Sequence, residues 1–330
     1  MSTPAIDIHA HFYPSACLNL LADRGYTRGT IYATGAPDAA GARRYAVHDA
    51  EFTDIELRLA RMNAQGIGLH ALSLPPSDAF AFEPALQDRL CREFNNAASA
   101  AHEQHPDRLV ALAALAVHSC AAAVAELERA RMLPGVRGVC IGTRFHEREL
   151  SDPDFFALWE RIAAVRLPVF LHYAPMMVVG TPDRLNAFHL GNVIGNTTET
   201  AIAASHLIFG GVLDRLPELE VCLPHAGGTL PVLFGRLDRA WQTRDECRHL
   251  AQPPSAYIRR FHYDTVCHSE AVFEFLVRMA GAERIMLGSD YCFDMGVEQP
   301  RAIVEQAATL DADARRRILG ANAATLLGLA

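Results

Sequence analysis

The chain has 330 residues, 50% hydrophobic and 21% charged. That is the balance of a globular protein, too long for a small disulfide scaffold and too apolar for a disordered segment. The formal net charge is -8 at pH 7, and no basic run offers the footprint that nucleic-acid phosphates require. All 30 basic residues are Arg, and the missing Lys excludes a Lys Schiff base, a P-loop Lys and a carboxylated-Lys metal bridge.

Apolar runs of strand length recur along the chain at Ala5–His9, Ile67–Leu74, Leu109–Ala116, Val136–Gly142, Pro168–Tyr173, Glu220–His225, Phe261–Val266 and Ile285–Asp290. They are continuous rather than alternating, as parallel strands buried on both faces require. Segments of helical periodicity separate them. Thr53–Gln65 opens on a Thr53 cap with Glu56 three residues on, a capping box. Leu86–His102, Ser119–Leu133, Pro153–Arg166, Thr197–Leu216, Leu230–Arg248 and Ser269–Gly281 follow, then Arg301–Leu310 and Asp313–Leu327. Eight strand-then-helix units predict an α/β fold, a (β/α)8 TIM barrel, in one domain over residues 1–330. An open doubly wound sheet is the alternative, weakened by the lack of a GxGxxG after the first strand. Phe12–Glu51 and Pro175–Asn196 read as loop insertions after strands 1 and 5, where a barrel places its active-site loops. The eight Cys form no CxxC pair and read as reduced core thiols of a cytoplasmic protein. Met1-Ser2-Thr3-Pro4 has no basic or apolar leader, so no signal peptide is expected, and Leu109–Val117 is too short to span a bilayer.

Chemistry-bearing residues gather at the predicted strand ends. His9 and His11 are two apart on the first strand and share a face, so both imidazoles can reach one ion. Alone, such a pair is equally two surface His. His172 ends the fifth strand, His225 the sixth and Asp290 the eighth, on the rim where barrel enzymes carry out catalysis. The plain alternatives are a turn His at His225 and a helix cap at Asp290. His70 reads as a core His, and Glu199 as a ligand-orienting group or a helix cap. Cys267 and His268 follow the seventh strand and are expected beside the pocket, with Cys292 and Phe293 behind the ligands.

Ile6-Asp7-Ile8-His9-Ala10-His11, Gly138-Val139-Cys140-Ile141-Gly142-Thr143, Phe209-Gly210-Gly211-Val212 and His225-Ala226-Gly227-Gly228 leading to Gly235-Arg236 resemble the amidohydrolase superfamily. So do Leu287-Gly288-Ser289-Asp290-Tyr291 and Gly320-Ala321-Asn322-Ala323. Within that superfamily the chain is similar to the non-hydrolytic decarboxylases, the 2-amino-3-carboxymuconate-6-semialdehyde decarboxylase-like family. The resemblance runs over nearly the whole chain. It implies a metal-dependent, non-oxidative carboxy-lyase acting on an unsaturated or aromatic carboxylic acid; a metal-dependent hydrolase or hydratase on the same scaffold is the alternative. It implies that His9, His11, His172 and Asp290 hold one divalent metal ion, usually Zn2+ with Mn2+ as the alternative, and that His225 is the acid/base beside it. Arg236 would enter the neighbouring subunit's site to hold a substrate carboxylate, which implies a homodimer; the plain alternative is a solvated stripe with Arg239. Ala46 stands where a second substrate Arg is expected, leaving Arg43 or Arg44 to serve, and Ala174 replaces an expected Trp. The substrate-binding set is therefore Arg236, Arg44 and His268.

Overall fold

The computed structural model describes residues 4–22, 50–75, 83–145, 148–173, 179, 182–185 and 187–329. Eight parallel strands lie in the order of the chain: β1 (Ile6–His11), β2 (Leu69–Ser73), β3 (Leu109–Ala114), β4 (Val136–Gly142), β5 (Val169–His172), β6 (Val221–Leu223), β7 (Phe261–Asp264) and β8 (Ile285–Met286). β8 returns to β1 through Ile8 N–H to Leu287 O at 3.0 Å and Asp290 N–H to His9 O at 2.9 Å, which closes the sheet into a (β/α)8 barrel. Every residue of β1, β2 and β3 is buried, as the unbroken apolar runs require of strands covered on both faces.

Two apolar layers result. Inside the barrel, Ile6, Ile8, Leu69, Val110, Leu112 and Phe170 pack with Cys140, Cys222 and Met286. Ala323, Ala324 and Leu327 of the terminal segment join this cluster and plug the end of the barrel away from the strand C-termini. Outside, the strands pack on the connecting helices α1 (Ile55–Gln65), α2 (Pro84–Gln104), α3 (Cys120–Ala130), α4 (Phe156–Val165), α5 (Thr197–Phe209), α6 (Leu230–Thr243) and α7 (Glu270–Ala280). Among the described residues, no helix is long and apolar enough to cross a membrane.

The elements differ from the sequence expectations mainly at their ends. Thr53 closes a short helix, Ala50–Thr53, and the cap of α1 is Asp54, whose carboxylate accepts from Leu57 N–H at 3.0 Å. A Thr-Asp pair offers two adjacent caps, and the carboxylate has taken the orphan N–H. The expected helix Thr197–Leu216 divides at Gly210-Gly211, where Gly211 takes φ +70 before Val212–Arg215. Residues 23–49 and 174–178 lie outside the described residues. What is described of the two expected insertions carries the helix Ser15–Ala22 and, after β5, Pro182–Leu185 and a π-helical turn, Gly191–Asn196. None of the eight Cys forms a disulfide, but Cys120, Cys247, Cys267 and Cys292 are only partly buried, so the core-thiol expectation holds for the other four. Replacing Asp54 with Ala should cost about 1 kcal/mol of stability in urea denaturation. Thr53→Ala should change it far less, and the reverse order would contradict the cap assignment.

Candidate metal centre

A register shift between Asp7 and Ala10 interrupts the pairing of β1 with β2. A bulge of this kind re-aims the side chains beyond it. Ile6 and Ile8 thus pack inside the barrel while His9 and His11 also turn to its axis, their ring centroids 5.0 Å apart. His172 arrives from β5, with centroids 4.6 Å from His11 and 5.2 Å from His9. Asp290 follows β8, with Oδ1 at 3.0 Å from His11 Nε2 and 3.2 Å from His9 Nε2. One ligand atom from each of these four buried residues lies within 4.8 Å of the others.

The residues fit a divalent ion on three counts. The Nε2 atoms of His9 and His172 are buried with no hydrogen-bond partner, which is costly unless something else takes the lone pair. Each imidazole meets another polar group through Nδ1: Asp264 Oδ2 at 2.7 Å for His9, Ser73 Oγ at 3.1 Å for His11, and the Tyr173 carbonyl at 3.1 Å for His172. Such partners hold Nε2 toward an ion. The set also demands positive charge. Burial opposes ionisation of Asp290, yet the charge of His9, the hydrogen bond from His11 and the neighbouring His225 imidazole hold its carboxyl well below the usual range. Burial would depress His9, but Asp290 and Asp264 push it up to about 10, whereas burial takes His11 down to about 4 and holds His172 well below the usual imidazole range. Three His nitrogens and one carboxylate oxygen are a donor set suited to Zn2+ and to similar divalent ions.

His225 stands beside this group, its Nε2 3.6 Å from Asp290 Oδ2 and its ring centroid 5.2 Å from that of His9. His225, Ala226, His268 and Asp290 all take positive φ, from +52 to +59. Non-glycine residues persist there only where the surroundings hold them, and they gather at functional sites. Two glycines let the backbones close in. A Cβ on Gly288 would stand 2.9 Å from that of Asp264 and 3.1 Å from that of His9, and one on Gly228 would collide with the Thr197 carbonyl.

Above Asp290 and His225 opens a cleft of about 300 Å³, walled by Asn192, Val193, Thr197, Val272, Met295 and His268. His268 therefore lies where the sequence placed it, as does Cys267. The Phe293 ring centroid is 5.0 Å from that of His11. His70 is a core His, fully buried, with Arg58 3.3 Å from its Nδ1. Arg236 is exposed on α6 and is not among the residues lining the cleft of this one chain. Arg43, Arg44, Ala46 and Ala174 lie outside the described residues.

Three supporting residues escaped the sequence reading. Asp264 takes hydrogen bonds from His9 and from the His225 turn; it ends β7, whereas the sequence extended that strand to Val266, so the strand-end signal that singled out His172 and Asp290 did not fall on it. Asp7 binds the His9 and Ser289 N–H groups at 2.9 and 3.1 Å, tying β1 to the loop that carries Asp290. Arg58, fully buried on α1, donates to the His11 carbonyl and lies 4.7 Å from the centre of the Tyr291 ring. Nothing in the local sequence of α1 separates Arg58 from its exposed neighbours.

Glu199 does not cap its own helix. It is buried on α5 with Oε2 unpartnered and accepts from the N–H of Val179 in the segment after β5. Burial pushes it up to about 7, against the charge of Arg144. The folded protein therefore holds a proton there that the unfolded chain releases above about 4.5, so stability falls as pH rises through that window. Glu199→Gln should remove this loss. Its melting temperature should gain on the parent between about pH 5 and about pH 7.5, and an unchanged difference would contradict the buried-carboxyl account.

Residues 6–329 match a family model described as Amidohydrolase. The 2-amino-3-carboxymuconate-6-semialdehyde decarboxylase of Dictyostelium discoideum is 29% identical, over 98% of this chain and 91% of its own. The 5-carboxyvanillate decarboxylase of Sphingomonas paucimobilis superposes with a TM-score of 0.83 at 23% identity, over 99% of both chains. A dihydroxybenzoic acid decarboxylase of Polaromonas sp. JS666, solved with manganese and 2-nitroresorcinol, gives 0.79 at 21% identity, over 99% of this chain and 97% of its own. With its barrel, its buried His/His/His/Asp group and a match across nearly its full length, the chain belongs to the amidohydrolase family, and these relatives within it are decarboxylases.

Proposed function

We propose that the protein is a metal-dependent, non-oxidative decarboxylase of an unsaturated or aromatic carboxylic acid, working as one catalytic domain over residues 1–330. The observation that carries this reading is the convergence of His9, His11, His172 and Asp290 beside His225, with Asp290 and His225 lining a cleft. His9, His11, His172 and Asp290 are the metal ligands. Zn2+ is the first choice for this donor set and Mn2+, the ion in the Polaromonas structure, the second. When bound, such an ion supplies Lewis acidity that polarises an oxygen of substrate or water.

The protein's own groups do the rest. His225 carries the proton, and Asp290, whose Oδ2 lies 3.6 Å from the His225 Nε2, shares its catalytic role. The proton goes to the carbon that bears the carboxylate. The carbon–carbon bond then breaks, carbon dioxide leaves, and the bonding electrons return to the conjugated system; His225 regains its proton from solvent. Val193, Val272 and Met295 offer apolar walls for a flat ring, and His268 faces the same space. Among the described residues, the cleft lining contains no guanidinium. The resemblance assigns the carboxylate clamp to Arg44 of the same chain and to Arg236 of a second copy, in a homodimer, where a guanidinium fork can hold the group by paired hydrogen bonds. Eight thiols outside any disulfide support a reducing, cytoplasmic setting.

Carbon dioxide release from a panel of hydroxybenzoates and muconate semialdehydes is the test. Incorporation of water without gas would favour a hydrolase or hydratase instead. His225→Ala should keep its metal on elemental analysis and lose about 100-fold or more of turnover; unchanged turnover would exclude it as the proton carrier. Mixing Arg236→Ala with His225→Ala should restore part of the activity, since hybrid dimers hold one intact site. No recovery after proven subunit exchange would contradict a role for Arg236 across an interface.

A further inference from the structure

Asp264 has a place in the site that its lack of contact with the cleft conceals. It ends β7, is fully buried, and receives four hydrogen bonds. Oδ2 accepts from His9 Nδ1 at 2.7 Å and from His225 N–H at 3.0 Å; Oδ1 accepts from Ala226 N–H at 2.7 Å and from Val266 N–H at 3.0 Å. That fills the roughly four lone-pair positions a carboxylate offers. Two of these bonds hold His225 and Ala226, both at positive φ, and a third reaches an imidazole on a strand from the other end of the chain.

We propose that Asp264 is a positioning residue serving both halves of the site: it fixes the His9 tautomer and clamps the turn that presents His225. This deepens the reading of His9 as a ligand and of His225 as the proton carrier, and rests on it. As an acceptor at Oδ2, the Asp264 carboxylate keeps a proton on His9 Nδ1. That leaves the lone pair on Nε2, the buried atom with no hydrogen-bond partner 3.2 Å from Asp290 Oδ1. Orientation of a metal-binding His by a carboxylate on its far nitrogen raises its basicity and fixes its ring. An amide of the same shape cannot do this. If its oxygen stays with Ala226 and Val266, its NH2 faces the His225 N–H and the His9 Nδ1–H, donor against donor. His9 relieves the conflict only by moving its proton to Nε2, which removes the lone pair a metal needs, and the His225 turn loses one anchor.

The test uses Asp264→Asn. Its Mn2+ affinity, from electron paramagnetic resonance titration, should fall about 10- to 100-fold. At saturating Mn2+, kcat should fall further than KM rises, because the His225 turn is loosened while the cleft walls are untouched. A lower melting temperature with unchanged Mn2+ affinity and an unchanged kcat would reduce Asp264 to a structural residue and overturn the proposal. Should the variant not fold, 15N resonances of the His rings in the Zn2+-loaded parent decide the matter: a His9 protonated at Nδ1 supports the proposal, and one protonated at Nε2 overturns it. Both metal titration and resonance measurement proceed without substrate. A parent protein that releases no carbon dioxide would therefore sink the decarboxylase reading and leave the Asp264 question answerable.

Discussion

A buried carboxylate surrounded by imidazoles, at the open end of a barrel, is the constraint on which the rest of the structure depends. Asp290 is almost wholly excluded from water, as are His9, His11 and His172. An ionised carboxylate in such surroundings is tolerated only where positive charge faces it. His9, pushed up to about 10, supplies part of that charge, and the fold draws three Nε2 atoms, from β1 and β5, toward one carboxylate that follows β8, a donor set that suits a cation. A barrel suits this task because its strands are tilted and staggered around a common axis, so residues remote in sequence share one rim.

The polar layer beneath the rim explains why these side chains do not relax apart. Asp7 pins the His9 backbone to the Ser289 loop, Arg58 holds the His11 carbonyl, and Ser73 stands behind the His11 ring. Asp264 joins β7 to both His9 and the His225 turn. Each of these groups is itself buried, so each bond forms away from competing water and resists exchange. The positive φ values at His225 and Asp290 are held within this frame. Order at the site thus comes from hydrogen bonds beneath it, and the apolar cleft walls above remain free to define what enters.

Much of this was legible in the sequence because two signals coincided. Continuous apolar runs marked buried parallel strands, and His172, His225 and Asp290 each stood at the end of one. The His9–His11 pair was legible only in part. The two-residue period predicts a shared face, but the bulge that turns that face inward from the Ile6–Ile8 side depends on pairing with β2, which no local pattern encodes. Asp264 lay inside the predicted run Phe261–Val266 and carried no strand-end signal; its role appears only when β1 and the β6 turn arrive beside it. Arg58 had no signal, since a single Arg on an amphipathic helix looks the same whether it faces solvent or the core. Thr53 and Asp54 were equally good caps on paper, and hydrogen-bond geometry chose between them. The choice of substrate stays the least legible feature: of the arginines proposed to hold a carboxylate, Arg44 falls in no predicted strand or helix, and Arg236 sits on the exposed face of α6, where periodicity says nothing of a ligand.

The central claim is that one divalent ion is held by three imidazole nitrogens and one carboxylate oxygen drawn from β1, β5 and the end of β8. X-ray absorption at the metal edge of Zn2+-reconstituted protein reads that arrangement directly. The account predicts one equivalent of zinc, a first shell of nitrogen and oxygen near about 2.0–2.1 Å, and the outer-shell scattering of three imidazoles. A first shell containing sulfur, a second metal at short range, or fewer than three imidazoles would contradict it.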